Sequence, residues 1–425
     1  MSAGAAPARA AEHQFCWGTN LEPNHGCAAG YNYAGSVYGN SSEGPICAFI
    51  SGDESLGNCM KAANEGVYVS YGDGYGRWGR PYLFHTANIP GTLKVYGKWW
   101  DAPPVPPSPP PPPPPPPPAL EQFIAFGANT NALLEYSSFL GGALNTSAGV
   151  AAGTTPSVAY VPGVGYMAAF QNWKHELWLY SSSTNTGFST GLGMDSNSSP
   201  SIAVKPDGSY IVAFQSSTHE LLYYSSALGA GYATKDGMMP GSTPSATYVP
   251  ASGSFVVAFQ DWQQHLWTYS TASGSSFNTT LGMAASTSPS ITAKSEGNYI
   301  IAIHAVEDYL WTYTAGSATN RGLGMKVNTS PSVAAGSNGN YLAAFQANTG
   351  ALWYFSTSLG GAYNTGAGMA ANTNPSAGYL SNNNSYSIAF QDWQTHLWTY
   401  STASAGASNT NLGMAASTSP SLAVH

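Results

Sequence analysis

Residues 331–369 decide the fold. They run Pro331-Ser332-Val333-Ala334-Ala335, then Tyr341-Leu342-Ala343-Ala344-Phe345-Gln346, then Ala351-Leu352-Trp353-Tyr354-Phe355-Ser356, then Asn364 to Met369. Each run has strand length and is bounded by turn residues, so the stretch reads as four short strands with no helix. The same sentence recurs along the chain. Its Pro-Ser dipeptides fall at Pro156, Pro200, Pro244, Pro289, Pro331, Pro375 and Pro420, spaced 44, 44, 45, 42, 44 and 45 residues. Four strands per unit of this period is the signature of a propeller blade.

The two ends of the array set the blade count. It opens at Glu121-Gln122-Phe123-Ile124-Ala125-Phe126, which is a second strand lacking its first. It closes at Pro420-Ser421-Leu422-Ala423-Val424-His425, which is a first strand lacking the rest. An open solenoid leaves both halves unpaired. A seven-bladed ring, with the C-terminal strand completing the first blade, removes the exposed edge. The expected fold is therefore all-β: a seven-bladed β-propeller over 119–425. The small residues of the first strand suit the crowded centre of such a ring.

The remainder divides by composition. Residues 1–12 read as a leader remnant or disordered start, with Ala8-Arg9-Ala10 resembling the end of a secretory signal. Residues 13–101 hold all four cysteines, Cys16, Cys27, Cys47 and Cys59. An even number of cysteines in a short Gly- and Tyr-rich segment, without C-x2-C spacing, predicts a small β-rich domain with two disulfides in any of three pairings. The runs Gly66–Tyr71 and Thr92–Tyr96 alternate as strands do. Residues 102–118, ending in the ten consecutive prolines Pro109 to Pro118, read as a polyproline II linker spanning roughly 50 Å at ~3.1 Å per residue. This proline run resembles those of hydroxyproline-rich wall glycoproteins. The cysteines, the leader-like start and six N-x-S/T sequons (Asn40, Asn145, Asn197, Asn278, Asn328, Asn383) together predict a secreted protein.

Composition narrows the partners. Charged residues are 8% of the chain against about 25% for ordinary globular proteins. Gly, Ser, Thr, Asn and 27 tyrosines take their place. Such a surface suits uncharged polar partners. A formal net charge of −8 argues against nucleic acid, which requires a basic footprint. No apolar run approaches the ~20 residues of a membrane helix. No cofactor or metal is expected, since the histidines of the array are scattered one to a repeat. Catalysis is not expected of the array either. It has twelve acidic residues and no evident carboxylate pair, H-E-x-x-H or G-x-S-x-G.

Repeats differ where function can lie. The Trp of L-W-x-Y (Trp178, Trp267, Trp311, Trp353, Trp398) is replaced by Leu134 and Leu222 in copies one and three, as an apolar packing slot allows. The loop between second and third strands varies more. Copies two, four and seven add a second Trp, in Gln171-Asn172-Trp173, Gln260-Asp261-Trp262 and Gln391-Asp392-Trp393, followed by His175, His265 and His396. A flat ring beside amide, carboxylate and imidazole groups is the equipment for sugar recognition. The ring stacks on the apolar face of a pyranose, and the polar groups bond its hydroxyls. The expected ligand-binding residues are thus Gln171, Trp173, His175, Gln260, Asp261, Trp262, His265, Gln391, Asp392, Trp393 and His396.

The repeat resembles those of seven-bladed propeller lectins of the Photorhabdus lectin type and, more loosely, tachylectin and tectonin repeats. Ala344-Phe345-Gln346-Ala347-Asn348-Thr349-Gly350-Ala351-Leu352-Trp353 resembles the A-F-Q-A-N-T-G-x-L-W repeats of secreted actinobacterial proteins still more closely. The likeness covers the whole array and none of the cysteine segment. It implies a lectin that holds monosaccharides, fucose-like ones above all, in pockets between adjacent blades. The second aromatic pair that the family carries late in each repeat is replaced here by Asn-Thr and Gly. Multivalent binding of neutral glycans or cell-surface polysaccharide is the leading expectation. An extracellular structural or protein-binding scaffold, a wall or matrix glycoprotein, is the second. A glycan-active enzyme, with its chemistry at His25, Asp73 or His85 of the cysteine segment, is the third.

Overall fold

The computed structural model describes residues 121–425, apart from 296 and 315, together with the backbone of six strands between 14 and 98. Two compact units are present, Met1–Pro116 and Pro117–His425. In the first, strands Gln14–Gly18, Gly91–Lys98 and Asn32–Gly39 form one three-stranded sheet, and Val67–Tyr68, Pro45–Ile50 and Arg80–His85 form another. The expected disulfides, the polyproline linker and the leader lie outside the described residues.

The second unit is seven four-stranded antiparallel sheets. Six of them are consecutive in sequence. The seventh is completed by the last strand, Ser421–Val424, which pairs with Gln122–Gly127 in the register Ser421↔Ala125 to Val424↔Gln122. The amide of Glu121 donates to the carbonyl of His425 at 2.9 Å, and that of His425 to Glu121 at 3.2 Å. The all-β, seven-bladed architecture read from the frayed ends is therefore the observed one. Blades are numbered here from the one containing residues 122–149, and strands from the centre outward.

The core is divided among the seams. Seven apolar clusters occur among the described residues, one between each pair of neighbouring blades. The Phe of A-F-Q is buried in every copy that has it, as at Phe170, Phe214 and Phe345. A blade has no interior of its own, so the ring is stable only when every seam is filled.

The Pro-Ser dipeptide has a second role that small size alone did not suggest. In the residue before each proline, the amide donates to the side-chain oxygen of its counterpart in the next blade. These bonds run from Thr155 to Ser199, on to Thr243, Ser288, Ser330, Asn374 and Ser419, and back to Thr155, at 2.6–3.2 Å. The serine after each proline accepts in the opposite sense, from the amide two residues beyond proline in the following blade, at 2.9–3.1 Å. Two closed rings of hydrogen bonds thus satisfy the inner strand edges, which no further strand can pair. Each bond contributes about 1 kcal/mol net.

Removing residues 419–425 deletes a link from both rings and bares the edge of Gln122–Gly127. The expected result is loss of the cooperative thermal transition, with association visible by size-exclusion chromatography. A truncated chain that melts as the full chain does would show that closure is dispensable.

Candidate functional site

The loops joining second and third strands lie at the same end of the ring as the Pro-Ser turns, since the strands alternate in direction. Each loop is a tight turn with one residue in the left-handed region: Asn131, His175, His219, Gln264, Asp308, Gly350 and Thr395, with φ between 58° and 82°. Two positions before it stands the residue that varies most: Asn129, Trp173, Ser217, Trp262, Val306, Asn348 or Trp393. In every blade this side chain lies over one glycine, the Gly that ends the fourth strand of the preceding blade. A Cβ on Gly149, Gly237 or Gly368 would stand 3.9, 3.4 or 3.7 Å from Cδ1 of Trp173, Trp262 or Trp393. The glycine that ends each fourth strand is thus the floor of a notch between blades.

The three extra tryptophans are open to solvent, with 71%, 67% and 72% of Trp173, Trp262 and Trp393 exposed. Their indole nitrogens have no partner among the described residues. The first notch is a cavity of about 510 Å³. Thr130 and Asn131 line it from one blade and Trp173 and His175 from the next, with Ala151, Ala152, Ser196 and Asn197 from the connecting loops. Lys174 Nζ sits 5.0 Å from the Trp173 ring centroid. A ligand stacking on that side displaces a cation–π contact of about 0.5–1 kcal/mol. Gln263 and Gln394 stand in the place of Lys174 in the other two notches.

The other expected site residues take different places. Gln171, Gln260 and Gln391 are fully buried. Their Nε2 groups donate to the carbonyls of Asp195, Ala284 and Ala415, at 2.6–2.8 Å, in the loop that leaves the same blade. Their main-chain carbonyls accept from the amides of Ala151, Met239 and Ala370 of the preceding connection. The glutamine that was expected to bond a sugar instead ties its blade, through side chain and main chain, to the connections on either side. His304 takes over this role in blade five, its Nδ1 2.8 Å from the Thr329 carbonyl.

Asp261 and Asp392 are likewise occupied. One oxygen of each accepts the amide of His265 or His396 at 2.7 Å, and the other accepts the indole N–H of Trp267 or Trp398 at 2.8 Å. An Asx-type turn and a buried indole use up the carboxylate. Asn172 and Glu176 share this work in blade two. His265 and His396 open the third strand and pair across it with Gly282 and Gly413, the floor glycines of the next notch. They are one position later than His175, which does line the notch of its own tryptophan. The L-W tryptophans, by contrast, pack against the seam clusters as expected.

The structure therefore gathers each extra Trp with the floor glycine, the preceding turn residue and a short polar connection. It withdraws Gln and Asp from ligand contact. The glycine is constant in sequence, and it reads as a fold residue until the neighbouring blade is in place.

Replacing Gly237 with valine tests this geometry. Its backbone is outside the left-handed region, so stability should change by no more than about 0.5 kcal/mol. The added methyls displace the Trp262 indole, and ligand binding at that notch should fall. The readout is a titration in a chain carrying Trp173→Ala and Trp393→Ala. Unchanged binding with the valine would place the ligand elsewhere.

No family model matches this chain, and no curated protein matches it. Among solved structures, TolB from Acinetobacter baumannii is 14% identical with a TM-score of 0.41, covering 72% of this chain and 66% of its own. The fungal lectin of Aleuria aurantia, described as a six-bladed propeller with a novel mode of fucose recognition, is 16% identical with a TM-score of 0.43, covering 57% and 89%. AofleA from Arthrobotrys oligospora is 11% identical with a TM-score of 0.46, covering 72% and 93%. Likeness at this level passes neither ligand nor activity to this chain. Among the described residues no group of His, Cys, Asp and Glu is placed to hold a metal ion, and no helix is long and apolar enough to cross a membrane.

Proposed function

We propose that this chain is a secreted, multivalent carbohydrate-binding protein that holds neutral glycans in the three tryptophan notches. One observation carries the reading. Three indoles on polar loops lie open to solvent over a glycine floor, all at one end of a rigid ring. Leaving three such rings exposed has no packing benefit, and the neighbouring carboxylates of Asp261 and Asp392 are already bonded to turn amides and to the Trp267 and Trp398 indoles. An indole face is complementary to the axial C–H face of a pyranose, and Asn131, His175, Gln264 and Thr395 are at hand for its hydroxyls.

A 6-deoxy sugar such as fucose is the favoured ligand. Its methyl group adds apolar surface where the first notch presents Ala151 and Ala152 beside the ring. The test is competition for binding of the full chain to a glycan array. L-fucose should compete more strongly than L-galactose, which differs by the 6-hydroxyl alone. Equal competition would remove the deoxy-sugar preference. Failure of all neutral glycans to bind would remove the lectin reading.

A further inference from the structure

The far end of the ring carries a cavity that the tryptophan notches do not explain. In six of the seven blades an aromatic residue at the start of the second strand closes the seam behind it, and Gln122 takes its place in blade one. Five of these six are buried, from 3% exposed at Tyr386 to 8% at Tyr210. Tyr299 alone is only half-buried. The reason lies in the residue facing it from the preceding blade. At the position paired with the Ala that precedes the Phe of the second strand, Leu179, Tyr223 and Tyr354 fill three seams, and Thr268 stands at the seam between blades four and five.

The next seam shows what filling such a gap takes. Thr312 is as small as Thr268, but Arg321 reaches in. It donates to Thr312 Oγ1 at 2.7 and 2.9 Å and to the Tyr341 hydroxyl, and Tyr341 stays buried. The residue equivalent to Arg321 in blade four is Thr279, which is tied to the Leu266 carbonyl and fills nothing. Opposite Thr399 stands Gln122 instead of an aromatic ring, and its side-chain oxygen accepts from Ser387 Oγ across the seam. The fourth seam has neither device, and a cavity of about 510 Å³ remains.

Its lining is chemically specific. Phe277, 60% exposed, stands over Thr268 on one wall, and Tyr299 and Tyr313 form the other. Serine hydroxyls and Asn298 form the rim, and among the described residues those that line it carry no charge. The side chains of Thr268, Asn298 and Tyr299 have no hydrogen-bond partner among the described residues. Aromatic walls with a few free polar groups, at a volume within the ~300–1,000 Å³ of ligand sites, define a binding pocket.

We propose that the seam between blades four and five is a second binding site, on the face opposite the tryptophan notches, for a neutral sugar-sized ligand with one apolar face. It is independent of the tryptophan reading and is tested without it. Full-length protein carrying Trp173→Ala, Trp262→Ala and Trp393→Ala is examined by saturation-transfer NMR against L-fucose, D-galactose, D-mannose, D-glucose and N-acetylglucosamine. The expected result is transfer to at least one sugar, lost when Thr268→Tyr fills the gap as Tyr223 and Tyr354 do elsewhere. Phe277→Ala, at an exposed position that folding does not need, should abolish the same signal. No transfer in the tryptophan-free chain, or transfer indifferent to both further substitutions, overturns the proposal. Neither of those outcomes bears on the notches, whose failure is read from the glycan array.

Discussion

A chain with alanine at Trp173, Trp262 and Trp393 together is expected to bind a glycan-coated surface at least ~100-fold more weakly than the wild type, because avidity between weak sites multiplies. Its thermal unfolding should be unchanged, since the three rings are 67–72% exposed and contribute little to any seam. Single substitutions should each cost far less than a third of that loss in free energy on a dense surface, and more on a sparse one. Among the three, Trp173→Ala should cost least, because Lys174 already occupies part of its ring. Biolayer interferometry at two glycan densities reads all of this. A triple variant indistinguishable from wild type would detach the tryptophans from function.

The second large effect concerns stability. Glu135 lies in the third strand of blade one, 2% exposed, with neither carboxyl oxygen hydrogen-bonded to a described residue. Its counterparts in blades two and three are Leu179 and Tyr223. Burial pushes its pKa up from 4.5 to about 8. The folded state therefore holds a proton that the unfolded state releases near pH 4.5. Stability is complete below pH 4.5 and falls as pH rises toward about 8. The loss is on the order of several kcal/mol, at roughly 1.4 kcal/mol per unit of pKa difference. Glu135→Leu should abolish this slope and raise the melting temperature at pH 8 while changing little at pH 4. Parallel melting profiles of the two proteins from pH 4 to pH 9 would contradict the burial of an unpaired carboxyl.

The ring was legible in the sequence because its evidence is one-dimensional. Period, strand-length runs and two complementary half-repeats need no coordinates to be counted. The two rings of hydrogen bonds at the centre were not. Thr155 and Ser199 are 44 residues apart, and Ser419 and Thr155 are 264 apart. Only the register of neighbouring blades brings each amide to its hydroxyl.

The tryptophans were legible for a different reason. A large ring added to a polar turn in three copies of seven is an anomaly on the line itself. The polar residues beside them misled because Gln, Asp and His are equally suited to bonding a ligand and to bonding a loop. At Gln171 and Gln391 the loop carbonyl wins because the side chain ends inside a seam, where an unpaired amide is costly. At Asp261 and Asp392 the turn amide and the Trp267 or Trp398 indole are nearer than any solvent-side partner. The pocket behind Tyr299 was invisible for the converse reason. Thr268 is an ordinary strand residue until the chain facing it is known.

The measurement closest to the central claim is a sugar titration followed through the indole N–H signals of the ¹⁵N-labelled full chain. The indole N–H groups of Trp267 and Trp398 are bonded to Asp261 and Asp392, so their signals should stay fixed. Those of Trp173, Trp262 and Trp393 should shift together and saturably as a neutral monosaccharide is added. Saturable binding with those three signals unmoved, or no shift anywhere with any neutral sugar, would contradict the assignment of the notches.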